Sequence, residues 1–329
     1  MRMPVPAWAV PCSGAHYRRG MTSETSPDLA AALAAGTLVL DGGLSNQLET
    51  AGHDLGDALW SARLLAERPE AVTEAHLAYF TAGADVVITA SYQATFEGFR
   101  PARGSAGSGR PRSSRPAWTS PGTRYGGHAP RASHGRCGWP RRPGPYGAML
   151  ADGSEYRGRY GLTAGELERF HRPRLEVLAA ARPDVLALET VPDADEARAL
   201  LRAVRGLGVP AWLSYTVAGP RTRAGQPLEE AFAPAAAADE VIAVGVNCCD
   251  PEDADAAVAT AARVTGKPVV VYPNSGEAWD AGARAWSGRP SFHADRVTRW
   301  RAFGARLIGG CCRVGPETIT EIARTLSDG

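Results

Sequence analysis

The sequence predicts an α/β protein of the (β/α)8 TIM-barrel type, and three observations carry that prediction. Seven short, near-continuously apolar runs alternate with helix-like segments, which suits parallel strands covered on both faces. Polar residues and glycines gather at the C-terminal ends of these runs, where a barrel carries its active-site loops. No GxGxxG follows the first run, which weighs against the alternative, a doubly wound open sheet. The chain of 329 residues is long enough for a barrel, typically ~250 residues as one unit.

The elements follow in order. Residues 37–43 read as a buried strand ending in the Asp41-Gly42-Gly43 turn. Further strands are expected over residues 84–90, 184–190, 211–217, 241–247, 268–273 and 306–310; an eighth would close the barrel. Thr163 with Glu166, and Asp193 with Glu196, have capping-box spacing. Asp250-Pro251-Glu252 and Gly315-Pro316-Glu317 each place proline at a first helical position with an acid behind it.

Two segments stand apart. Residues 1–29 are expected to be a disordered N-terminal extension, without the continuous apolar stretch of a signal peptide. Residues 30–329 then form a single barrel domain, interrupted over 101–143. That stretch carries nine arginines, no acidic residue and no Leu, Ile, Val, Met or Phe, so it cannot bury enough apolar surface to order itself. It stands where the second helix and most of the third strand belong, and the barrel is expected to be disrupted there. Two origins stay open: a genuine basic insertion, or an out-of-frame stretch of a GC-rich gene whose frame is restored near Gly144.

The net charge of +1 argues against a dedicated nucleic-acid partner. No run approaches the ~18–20 apolar residues of a membrane span, so a soluble, cytoplasmic protein with reduced thiols is expected. Four of the six cysteines form two adjacent pairs at strand ends, Asn247-Cys248-Cys249 and Gly309-Gly310-Cys311-Cys312. In a barrel both pairs face one mouth, with a single strand between them. Three thiolates and an open position make a catalytic zinc site; the glycines before Cys311 are expected to supply a sharp turn. The competing readings are small buried hydrophobes and, disfavoured in a reducing compartment, a disulfide.

Seven fragments together resemble the homocysteine S-methyltransferase family: DGGLSNQLE (41–49), SYQATFEGF (91–99), GPYGAMLADGSEYRGRY (144–160), ALETVPDADEA (187–197), VGVNCC (244–249), VYPNSGEAWD (271–280) and LIGGCCRVGPE (307–317). The likeness covers about residues 30–100 and 144–326, and is closest to the branch using S-methylmethionine or S-adenosylmethionine. The resemblance implies zinc held by Cys248, Cys311 and Cys312, with Cys249 turned into packing and the homocysteine sulfur as fourth ligand. It implies that Asp41 and Glu189 hold the homocysteine ammonium group, with Gly42 and Gly43 near its amino-acid end. Asn247 is expected to orient the Cys248 loop, and Asn274 and Glu277 to lie on the donor side. The implied reaction transfers a methyl group from a sulfonium to the homocysteine thiol and yields methionine. Alternatives are a betaine-type homocysteine methyltransferase and an inactive or repurposed barrel. A cobalamin route is disfavoured, since the chain has no DxHxxG and no length for a cobalamin module. Oligomeric state is not indicated.

Overall fold

The computed structural model of the chain describes residues 28–56, 61–96, 140–280 and 285–328. One parallel sheet organises them. Its strands are β1 (Leu38–Val39), β2 (Pro140–Arg141), β3 (Val185–Val191), β4 (Ala211–Tyr215), β5 (Val241–Asn247), β6 (Val269–Tyr272) and β7 (Ala305–Ile308), in the spatial order β1-β7-β6-β5-β4-β3-β2. The sheet therefore ends at β1 and β2, and residues 84–90 run between those ends. Leu40 bridges Val86 in parallel; the Asp41 amide donates to the Val86 carbonyl at 3.0 Å on one flank, and the Thr89 amide to the Pro140 carbonyl at 3.1 Å on the other. This extended segment acts as the eighth strand and closes the barrel.

The apolar runs are continuous because each strand is buried on both sides. Along β3, Val185 and Ala187 point into the barrel with Leu38, Trp212, Val270 and Leu307, while Leu186 and Leu188 point out against the helices. The first helix, α1 (Leu29–Ala35), is capped by Asp28, whose side chain accepts from the Ala31 amide. Its Leu29 and Leu33 join the interior cluster, so the barrel fold begins slightly before residue 30. The outer layer is built from α2 (Leu44–Thr50), α3 (Ser61–Glu67), α4 (Pro69–Thr81), α5 (Tyr146–Leu150), α6 (Ala164–Ala180), α7 (Ala194–Val204), α8 (Leu228–Ala236), α9 (Pro251–Thr265), α10 (Ala294–Ala302) and α11 (Pro316–Ser327).

Thr163 and Glu166 form the expected reciprocal capping box on α6, and Pro251 and Pro316 open α9 and α11. Glu196 does not complete a box with Asp193. Its carboxylate instead accepts from the Tyr146 amide at 2.5 Å and from the Tyr160 hydroxyl at 3.2 Å, and pairs with His171 Nε2 at 2.9 Å. A buried acid is worth more where it satisfies three donors than at a helix end already capped by Asp193.

The third-strand position is filled, contrary to the expectation that residues 101–143 would displace it. Pro140 and Arg141 pair with Val185 and Leu186 of β3. Proline is tolerated because β3 supplies the register while the residue's missing N–H falls in a two-residue strand. The rest of that segment, the expected second-helix region over 97–139, and the N-terminal stretch over 1–27 lie outside the described residues. Among the described residues no helix is long and apolar enough to cross a membrane.

Candidate active site

The ends of β5 and β7 flank the end of β6, and the loop after β6 ties their cysteines together. Cys248 follows β5 with φ of +47°, a left-handed conformation that costs a non-glycine residue energy and recurs at functional sites. Its amide donates to the Tyr272 carbonyl at 3.2 Å, and its carbonyl accepts from Thr216 Oγ1 at 3.0 Å. The Cys311 amide donates to the Pro273 carbonyl at 2.7 Å. The Cys312 amide donates to Asn274 Oδ1 at 3.1 Å, and the Asn274 amide donates to the Cys249 carbonyl at 2.9 Å.

The Sγ atoms of Cys248, Cys311 and Cys312 lie within 4.8 Å of one another. A tetrahedral zinc with three thiolates separates its sulfurs by ~3.8 Å, so this donor set fits the ion. Cys248 and Cys311 are joined by a disulfide, with their Cα atoms 5.5 Å apart. The reduced thiols expected from the sequence are the other state of this pair: sulfurs close enough to share a metal are close enough to bond. The disulfide and a three-thiolate metal are mutually exclusive states. Cys312 remains a free thiol; burial pushes it up to about 11, with Arg142 working weakly the other way. A buried thiol of this kind becomes a ligand only when a cation compensates its charge. Cys249 is fully buried in the outer core.

Gly309 and Gly310 do not supply a left-handed turn; neither has positive φ. They are needed for close approach. A Cβ on Gly309 would meet the Leu40 and Asp41 carbonyls, each at 2.6 Å, and one on Gly310 would strike the Val314 side chain. Gly42 and Gly43 work alike, with a Cβ on Gly42 colliding with the Val314 carbonyl and one on Gly43 2.6 Å from the Cys311 carbonyl. These four glycines seat the first-strand loop directly on the Cys311-Cys312 loop.

One pocket contains the three cysteines together with Asp41, Gly42, Gly43 and Glu189. Its acidic wall is buried. Asp41 Oδ2 accepts from the Ile88 amide at 2.8 Å, and burial pushes its carboxyl well above the usual carboxylate range. Glu189 accepts from the Tyr272 hydroxyl at Oε2, 2.9 Å, and from Arg142 Nη1 at Oε1, 3.0 Å. Asn247, Asn274 and Glu277 do not line the pocket; they brace it. Asn247 accepts from the Thr190 amide at 2.7 Å and Ser214 Oγ at 2.8 Å and donates to Thr190 Oγ1 at 2.7 Å, joining the ends of β3, β4 and β5. Glu277 pairs with Arg313 at 2.6 Å beside the Cys312 loop.

The lining residues not singled out from the sequence include Tyr92, Arg142, Glu155 and Tyr156. Glu155 is buried, and its Oε2 has no hydrogen-bond partner among the described residues; burial pushes its carboxyl up. Its place inside the 144–160 fragment was the available signal. Arg142 carried none, since it belongs to a stretch whose composition is that of unstructured chain.

The family model described as homocysteine S-methyltransferase matches residues 38–326. Among curated proteins, homocysteine S-methyltransferase 4 of Zea mays is 44% identical over 90% of this chain and 91% of its own length. Among solved structures, the homocysteine methyltransferase MmuM of Escherichia coli is similar in its metallated form, with a TM-score of 0.72 and 36% identity over 88% of this chain and 96% of that one. Its oxidized form is similar to the same degree, with a TM-score of 0.71, 36% identity, and 88% and 95% coverage.

Proposed function

Because this chain belongs to the homocysteine S-methyltransferase family, an enzyme family of the methyltransferase class, we propose that it is a zinc enzyme that transfers a methyl group from a sulfonium donor to the homocysteine thiol, giving methionine. S-methylmethionine and S-adenosylmethionine are the donors that fit this chemistry. The observation that carries the reading is the convergence of three cysteine sulfurs, within 4.8 Å, on a pocket whose facing wall holds two buried acids.

Cys248, Cys311 and Cys312 would hold the ion, leaving its fourth position for the acceptor sulfur. Zinc bound there would supply the acidity that turns the acceptor thiol into a thiolate at neutral pH. That the related MmuM has been obtained in metallated and oxidized forms supports two states for this site as well, with reduction of the Cys248–Cys311 disulfide preceding metal uptake. The chain's other residues bind and align. Asp41 and Glu189 form the acceptor's amino-acid end, Gly42 and Gly43 bring the loop close enough to reach it, and Asn247, Asn274 and Glu277 fix the cysteine loops. Glu155 and the rings of Tyr92 and Tyr156 give a cationic donor an anionic and π-rich wall.

The step itself is an in-line displacement. The acceptor sulfur forms the new bond to the methyl carbon, and the old carbon–sulfur bond breaks with its electron pair left on the donor sulfur, now a neutral thioether. The acceptor's thiol proton leaves to solvent on binding. No protein group need move a proton during transfer, so alignment carries the rate. We read the chain as one barrel domain with an N-terminal extension and the basic segment, working in the cytoplasm, where a reducing environment would return the Cys248–Cys311 pair to the thiols the metal needs.

The deciding experiment is elemental analysis of the reduced, purified chain beside Cys311→Ala, followed by a methionine assay with each donor. About one zinc per chain, lost in the variant, with methionine formed from one sulfonium, is the expected result. Zinc absent, or indifferent to the substitution, would overturn the reading.

A further inference from the structure

Arg223 stands between two walls of the pocket and is claimed by neither. The short hairpin after β4 pairs Val217–Ala218 with Arg221–Thr222, and the backbone that follows it is pinned. The Arg223 amide donates to the Thr216 carbonyl at 3.4 Å, the Ala224 amide to the Pro192 carbonyl at 2.9 Å, and the Gly225 amide to the Thr222 carbonyl at 2.9 Å. On one flank, Arg223 Nε donates to Thr216 Oγ1 at 3.5 Å, and that hydroxyl donates to the Cys248 carbonyl at 3.0 Å. On the other flank, Arg159 Nη2 donates to the Ala224 carbonyl at 3.2 Å, and a Cβ on Gly158 would stand 3.2 Å from the Ala224 Cβ. The loop that seats Arg223 therefore abuts the one that carries Glu155 and Tyr156 into the pocket. The Arg223 charge is felt both at Tyr156 and at the Cys249 thiol.

The other arginines around this mouth are committed. Arg142 pairs with Glu189, Arg313 with Glu277, Arg157 with Asp152 and Arg159 with Asp193. Arg223 is exposed, and its two Nη atoms have no hydrogen-bond or carboxylate partner among the described residues. The donor wall has the complementary need. Glu155 suits a sulfonium, yet it repels the carboxylate that an amino-acid sulfonium also carries. We propose that Arg223 anchors that carboxylate, holding the amino-acid end of the donor at the rim while the sulfonium lies against Glu155, Tyr92 and Tyr156. This rests on the methyl-transfer reading above. A planar guanidinium with both terminal nitrogens open takes a carboxylate through two parallel hydrogen bonds. The donor class selected is a sulfonium bearing a carboxylate, in preference to one without it.

The test is calorimetric binding to the full, reduced chain, whether or not zinc has loaded. The probes are S-methyl-L-methionine and (3-aminopropyl)dimethylsulfonium, the same sulfonium without its carboxylate. Arg223→Ala removes an exposed side chain and leaves the backbone bonds of its loop in place, so the fold should hold. It is expected to weaken S-methyl-L-methionine by roughly tenfold, the worth of one charge-assisted contact, and to leave the decarboxylated probe within about a factor of two. Arg223→Lys keeps the charge without the planar fork and should fall between the two. L-Homocysteine binding and zinc content should match the wild type. Unchanged binding of S-methyl-L-methionine overturns the proposal, as does equal weakening of both probes or a wild-type chain that binds neither. Zinc lost in Arg223→Ala would make the residue a prop for Cys248 through Thr216, and overturns the donor role as well. The two readings fail separately. Absence of methionine formation speaks against the reaction, whereas the difference between the probes speaks only to Arg223.

Discussion

Cys312 and Glu155 are the two pocket residues whose surroundings ask for a positive charge. The Cys312 thiol is pushed up by burial and lacks the disulfide that occupies Cys248 and Cys311, so its affinity for protons must be overcome by a cation. Cys312→Ser should lower zinc content in the reduced protein from about one per chain to near zero, while Cys248 and Cys311 still oxidise to the disulfide, as thiol titration can follow. Glu155 offers an unpaired, buried carboxylate oxygen. If it faces the sulfonium, Glu155→Gln should raise the donor KM about tenfold, the worth of one charge-assisted contact, and leave the acceptor KM within a factor of two. Equal changes in both constants would place Glu155 in the scaffold instead.

At the scale of elements, the site depends on strand ends held in register by side chains that touch no substrate. Asn247 makes three short hydrogen bonds across β3, β4 and β5. Asn247→Ala leaves the Thr190 amide without its acceptor in a buried place and should cost about 1–3 kcal/mol of unfolding free energy, read from urea midpoints; zinc affinity should fall with it. The loop after β1 rests on the loop after β7 through glycines. Gly42→Ala drives a methyl group into the Val314 carbonyl, a backbone atom that cannot swing away, and should cost about 1–3 kcal/mol as overpacking. Gly36→Ala, which meets nothing within 4 Å, is the control and should be near neutral in the same melts.

For the whole molecule, buried histidines set the acid limit of stability. Burial lowers His76 to about 4 from its ordinary 6.5, and lowers His171 as well, against the pull of Glu196. A histidine held neutral by folding leaves the unfolded chain with more bound protons below pH 6.5, so its contribution is complete above that value and is lost as pH falls toward 4. The raised carboxyls of Asp41 and Glu155 act in the opposite sense, gaining stability as pH falls. Comparison of His76→Gln with the wild type isolates the histidine: between pH 6 and 5 the wild type should lose up to about 1.4 kcal/mol per pH unit more than the variant. Parallel stability curves would show that His76 does not carry the effect.

The sequence alone determined the barrel, because strands buried on both faces must be apolar throughout and so advertise themselves, as residues 185–191 and 241–247 do. It determined equally which cysteines could meet, since a barrel sends every strand end to one mouth and Cys248, Cys311 and Cys312 sit at two of those ends. Local chemistry was legible where it is local: Thr163 with Glu166 on α6, and Pro251 at the start of α9. Tertiary structure alone decided the rest. Glu196 left its cap for three donors far away in the chain, and Gly309 and Gly310 proved to be required by neighbouring loops, not by their own backbone angles. The third strand emerged from the end of a segment whose composition spoke against it, because an open edge of β3 supplies hydrogen bonds to whatever backbone reaches it. Arg142 is the extreme case: a residue with no signal in its neighbours, made part of the pocket only by the Glu189 carboxylate that the barrel closure brings to it.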